Sequence, residues 1–200
     1  MCVTGEGGFA SPRGRALVPV RAALVGRACA AGRGAANVRD PEFHPLLRKG
    51  PPMPTGTVRL HRVLRTKPER AYRAFLDPDA MVKWLPPHGF TAKVHHLDAR
   101  VGGTYRMSFT NLTTGLGHSF GGSYLELVPN ERIVHTDKFD DPNLPGEMRV
   151  TVTFKPVVVG TEIHIVQEGI PEMIPVEACY LGWQESLTLL TLLVEPEIPA

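Results

Sequence analysis

His135, Asp137 and Phe139 stand at alternate positions of one β-patterned run. A His two residues from an Asp, beside an aromatic, is the spacing of an acid–base pair on one strand face. The pair needs a strand that turns this face into a cavity. The residue types favour the competing reading, a solvated face with an apolar residue at its end. Val134 and Thr136 on the opposite face leave the direction open. His135 and Asp137 are therefore the catalytic candidates, and no other residue is given that role. Gly117-His118-Ser119-Phe120-Gly121 spells the G-x-S-x-G nucleophile elbow. That motif needs a strand, a tight turn and then a helix. A strand pattern follows here, so Ser119 is read as part of a polar hairpin loop. His95 and His96 are adjacent, and neighbours in a strand point to opposite faces, so one ion cannot take both without a bulge. His61, His135 and His164 belong to other runs and are free to converge with one of them. With no H-x-x-x-H and no CxxC spacing, no metal site is expected. Asp137, Asp140, Asp141 and Glu147 gather around a turn but lack calcium-loop spacing, and no phosphate-binding glycine loop is present. No cofactor is expected.

A second group suits apolar binding. Tyr105, Met107 and Phe109 share one face of their run, and Tyr124, Phe139 and Trp183 add aromatic surface. Aromatics and Met offer large apolar area, and Tyr and Trp carry one hydrogen-bonding tip each. Ile163, Ile165 and Gln167 share a further face. Trp84, at the end of a short helix, either borders a cavity mouth or staples its helix to the sheet. These ten residues are the ligand-binding candidates; core packing is the competing reading for each.

The elements that must position them follow from periodicity. Thr57–Arg65 is rich in β-branched and apolar residues and reads as a strand. Thr66-Lys67-Pro68-Glu69 has the pattern of a capping box opening a helix with Ala71, Tyr72 and Phe75 on one face. Asp77-Pro78 opens a second short helix, ended by Pro86-Pro87. Phe90–Leu97, Thr104–Asn111, Ser119–Val128, Arg132–Phe139, Met148–Lys155 and Thr161–Glu168 then show strand patterning with short turns between them, which favours antiparallel hairpins. Val176, Tyr180, Trp183, Leu187, Leu190 and Val194 recur at helical spacing, an amphipathic helix of about five turns stopped by Pro196. A curved antiparallel sheet must cover its apolar face, and this helix is the one element long enough. The expected fold is α+β, with six or seven strands wrapped on the last helix.

Composition sets the frame. The chain has 200 residues, of which 42% are hydrophobic and 21% charged, ordinary values for a globular domain. Its 22 basic and 20 acidic residues give a net charge of +2, no general pull toward nucleic acid. Three cysteines cannot make a disulfide framework, which points to a reducing, cytoplasmic setting. No run approaches a membrane span. Residues 1–55 differ from the rest: 31 of the 55 are Gly, Ala, Arg or Pro, and 8 basic residues face 3 acidic ones. Such a segment buries too little apolar surface to offset chain entropy and is expected to be a disordered extension. Met53, just before the patterned region, is the expected true start. Residues 56–200 form the expected domain.

The order of elements and five local strings resemble the START-like helix-grip superfamily. Within it they are similar to the branch named for the C-terminal domain of the activator of heat-shock-protein-90 ATPase. The strings are Pro78–Leu85, Val101–Tyr105, Gly122–Pro129, Gly160–Glu162 and Gly182–Leu187. The resemblance covers Thr57 to Glu195. It implies a cavity between sheet and long helix, used in the superfamily for lipids, polyketides and other apolar molecules. The expected function is binding of a hydrophobic or amphipathic small molecule. The alternatives are a cyclase- or dehydratase-like enzyme using His135 and Asp137, and an interaction module acting as a chaperone partner or homodimer.

Overall fold

The computed structural model describes residues 56–198. The expected extension, Met53, Cys2 and Cys29 lie outside the described residues. Ten elements follow in order: β1 (Gly56–Leu64), α1 (Pro68–Ala74), α2 (Pro78–Trp84), β2 (Phe90–Leu97), β3 (Thr104–Asn111), β4 (Gly117–Val128), β5 (Arg132–Phe139), β6 (Met148–Val157), β7 (Gly160–Ile170) and α3 (Val176–Val194). The strands form one antiparallel sheet in the order β1-β7-β6-β5-β4-β3-β2. β2 through β7 follow one another as a meander, as their short turns require. The exception is β1, which pairs with β7, so the chain passes from one sheet edge to the other through α1 and α2. Among the described residues, no helix is long and apolar enough to cross a membrane.

Period-two alternation decides which face is covered. Met148, Val150, Val152 and Phe154 of β6 are buried, as are Tyr105, Met107 and Phe109 of β3. They share one core with Leu187, Leu190 and Val194 of α3. The helix covers this face unevenly: its four buried residues, Ser186, Leu187, Leu190 and Val194, all lie in its second half. Tyr180, expected on the apolar stripe, is instead exposed, whereas its neighbours Val176, Cys179 and Trp183 pack in part against the core. The second half is also tied down by polar contacts. Ser186 Oγ donates to the Leu85 carbonyl at 2.7 Å, and Glu195 accepts from the Arg65 backbone and guanidinium at 3.0–3.2 Å.

The two short helices start differently. Asp77 caps α2, its Oδ1 accepting from the backbone N–H of Asp79 at 2.9 Å and of Ala80 at 3.2 Å. Replacing Asp77 by Ala is expected to cost about 1 kcal/mol, read as a shifted urea midpoint. The expected capping box before α1 is not formed. Lys67, not Thr66, is the N-cap residue, and its side chain makes no capping bond. The Thr66 carbonyl instead accepts from Thr161 Oγ1 at 2.7 Å, so this turn is fixed by the sheet rather than by its own box.

Candidate functional site

The strand register assembles a polar strip on the covered face. Tyr124 pairs with His135, His135 with Val150, and Val150 with Gln167, a row across β4 to β7. One step along, Asp137 pairs with Met148 and Tyr105 with Gly122. A Cβ on Gly122 would run into the Thr136 carbonyl, so only glycine lets β4 and β5 close up between Tyr105 and Asp137. From above, Trp183 of α3 donates its Nε1–H to Gln167 Oε1 at 2.8 Å. The Gln167 amide in turn donates to Met148 Sδ at 3.3 Å.

The reading of His135, Asp137 and Phe139 as a solvated face is therefore corrected. β5 carries buried apolar residues on both faces, Ile133 and Val134, so its alternation does not reveal which side is inner. Register does: the His135 face meets Val150 and Tyr124, both buried. Tyr105 Oη lies 3.0 Å from His135 Nδ1 and 3.0 Å from the Thr136 carbonyl, which is also 3.0 Å from Nδ1. A carbonyl only accepts. Satisfying both neighbours places a proton on Nδ1 and leaves Nε2 as the free acceptor of the ring.

Burial also sets the protonation states. It pushes the Asp137 carboxyl up to about 7, against the opposing pull of the Tyr105 hydroxyl and the Lys138 backbone. Asp137 Oδ1 is shielded from solvent with no hydrogen-bond partner. Burial lowers His135 below its usual range, with the Thr136 carbonyl opposing. Tyr105 rises well above its usual value through burial first and the nearby Asp137 second, and burial takes Tyr124 to about 12. Near neutrality the strip thus holds a neutral imidazole, two phenols and a carboxyl poised between its two forms.

An aromatic group lies at the open end of the sheet, where β3 turns into β4. The His118 ring stands 5.7 Å from Phe109 and Phe139, 6.0 Å from Phe120 and 6.4 Å from Phe90. His118 is exposed, while Phe109 and Phe120 are buried. The sequence reading did not single out His118. Its sequence signal was parity, two residues before Phe120; the strand register then sets it directly opposite Phe109.

The other candidates divide. Ile163 and Ile165 are buried on the same face, further along β7. Trp84 is fully buried, its ring 4.6 Å from Phe75 and its Nε1–H donating to the Ala74 carbonyl at 2.8 Å. It staples α2 to α1 rather than bordering a mouth. The G-x-S-x-G string lies inside β4, not in a hairpin loop, and Ser119 pairs with Ser108 in an antiparallel ladder, so no elbow forms. The bulge between Val94 and His96 turns both neighbouring histidines outward, to Ser108 Oγ at 2.9 Å and Thr104 Oγ1 at 3.1 Å. Side chains occupy the space beneath α3: Met107, Val152 and Leu190 are fully excluded from solvent. Shallow surface concavities lie elsewhere, one of about 580 Å³ beside Tyr72, Arg73 and Asn130 and one of about 400 Å³ between α2 and β2.

One antiparallel sheet closed by a long C-terminal helix, with two short helices spanning its edges, defines the START-like helix-grip class. Within that class the chain belongs to the family described as Activator of Hsp90 ATPase homolog 1-like protein, whose profile matches residues 65–195. A solved protein from Chromobacterium violaceum is 61% identical, with a TM-score of 0.70 over 70% of this chain and 98% of its own. One from Rhizobium leguminosarum is 25% identical, with a TM-score of 0.62 over 72% of this chain and 97% of its own. An Aeromonas hydrophila protein of the same family name is 18% identical, shares the fold at a TM-score of 0.57, and covers 68% of this chain and 90% of its own. Among curated proteins none matches.

Proposed function

We propose that the domain binds a hydrophobic or amphipathic small molecule between the sheet and the first half of α3, with the polar strip reading the molecule's polar end. The supporting observation is Asp137 Oδ1, a shielded oxygen of the polar strip that has no hydrogen-bond partner. A group left unsatisfied in this way is costly to the fold, and a ligand hydroxyl or amide would complete it. Met107, Phe109 and Phe139 would supply apolar contact, and Trp183, Gln167 and Tyr105 orientation. Entry requires side chains beneath α3 to move, and Met107 is the adaptable one.

Native mass spectrometry of the full-length chain, purified without detergent and compared with its denatured mass, tests the reading. The expected result is a non-covalent adduct that Trp183→Ala and Tyr105→Phe retain poorly and the outer-face variant Thr188→Ala retains fully. An unliganded wild-type mass, or equal retention by all variants, would count against it.

A carboxyl held near 7 beside a neutral imidazole also favours a second reading, acid–base catalysis on a molecule in the same place. Asp137 would then be the group that exchanges the proton and Tyr105 a hydrogen-bond donor to the reacting oxygen.

A further inference from the structure

On the outer face of the sheet, away from α3, three metal-ligand side chains meet. His61 of β1 pairs directly with His164 of β7, and Glu162 stands two residues before His164, on the same side of β7. The His61 Nε2 atom lies 2.9 Å from Glu162 Oε1, and His164 Nε2 lies 3.6 Å from that same oxygen. All three ligand atoms fall within 4.8 Å of one another. The two imidazoles stand side by side, with centroids 4.7 Å apart and planes inclined by 36°. Both rings therefore turn the same nitrogen to one carboxylate.

We propose that His61, Glu162 and His164 form a binding site for one divalent transition-metal ion of the zinc class. Two imidazoles and a carboxylate are a donor set suited to zinc and its neighbours rather than to calcium or magnesium. A tetrahedral ion about 2.0–2.1 Å from each ligand spaces its ligand atoms roughly 3.3 Å apart, and the two distances to Glu162 Oε1 bracket that value. Small side-chain rotations complete the triangle. The flat outer face supplies the rest: paired strands fix both backbones, and side chains half exposed at both histidines leave the fourth position open to water.

Two features set the strength. Lys155 Nζ stands 4.0 Å from Glu162 Oε2, so the ion meets a neighbouring positive charge. Neither histidine has a protein partner on Nδ1 among the described hydrogen bonds, so the rings lack the outer support that raises affinity in tight sites. A micromolar dissociation constant follows, not a nanomolar one.

Calorimetric titration with zinc chloride tests the site. The protein is the full-length chain without a polyhistidine tag, with Cys2, Cys29 and Cys179 each changed to Ser to remove thiolates. One equivalent should bind with micromolar affinity. Removing an outer partner alone weakens metal sites by about tenfold or more, and loss of a ligand in His61→Ala, His164→Ala or Glu162→Gln should do no less. The three positions lie on the sheet surface, so circular dichroism of the variants should match the parent. No binding by the parent at millimolar zinc, or unchanged binding by the His61→Ala/His164→Ala double variant, would overturn the assignment.

Discussion

Trp84→Ala should lower the stability of the domain by about 3–5 kcal/mol, the range for deleting a buried Trp. The indole is fully excluded from solvent and joins three elements. Its ring lies 4.6 Å from Phe75, which in turn meets Phe154 of β6 edge-on at 5.4 Å. Its Nε1–H donates to the Ala74 carbonyl, at the last residue of α1, at 2.8 Å. Truncation opens a cavity between α2, α1 and the sheet and leaves a helix-end carbonyl without its donor. Trp84→Phe refills most of the volume but not the bond, so it should cost about 1–3 kcal/mol, the penalty of one buried unpaired group. Urea unfolding of the three proteins measures both values. A Trp84→Ala midpoint close to wild type would show that α2 is not held by this residue.

The second large effect concerns Asp137 and is read against pH. Its folded value, about 7, lies above the usual 3.8, so between those limits the folded chain keeps a proton that the unfolded chain has lost. Stability from this group is complete below about 4, falls as pH rises through the window, and levels off above about 7. The loss is on the order of a few kcal/mol. Asp137→Asn removes the charge while keeping the shape. It should be more stable than wild type at pH 8, by that order of magnitude, with the difference shrinking toward pH 4. His135 works in the opposite direction. Its folded value is depressed, so its contribution is full above its usual 6.5 and is lost as pH falls through the folded value. The Asn variant should therefore show a stability curve that only rises with pH across the acid range. Urea midpoints at several pH values decide the matter: parallel curves for the two proteins would mean that Asp137 ionises in the fold as freely as in water.

Local pattern carried most of the fold. The alternation in Met148–Phe154 and the helical spacing from Val176 to Val194 are visible because each element has one wet side, and both elements formed as read. The pairing of β1 with β7 carries no local signal, since it joins residues about a hundred positions apart. The site was legible in its residues but not in its arrangement. Tyr105, Gln167 and Trp183 were marked for apolar binding, and His135 and Asp137 for acid–base work. That they share one strip depends on register, which single strands do not encode. Thr66 shows the same limit at a turn: the capping sequence forms no box, and the turn is held by Thr161 of a distant strand, whose hydroxyl donates to the Thr66 carbonyl. His61 and His164 could be placed on different strands from sequence, but their meeting with Glu162 follows only from the edge pairing.

The uneven seating of α3 has a kinetic consequence. A helix whose fully buried residues begin only at Ser186 should open locally from its start, with Trp183, partly buried and bonded to Gln167, near the boundary between the two regimes. Backbone amides before Trp183 would then exchange with solvent through brief, low-energy excursions, whereas those near Leu187 and Leu190 would wait for global unfolding. Any molecule reaching the strip beneath would be admitted at the frequency of those excursions, so its arrival would be timed by the protein and not by diffusion. Its departure would face the same gate, and a long residence would not require a tight fit.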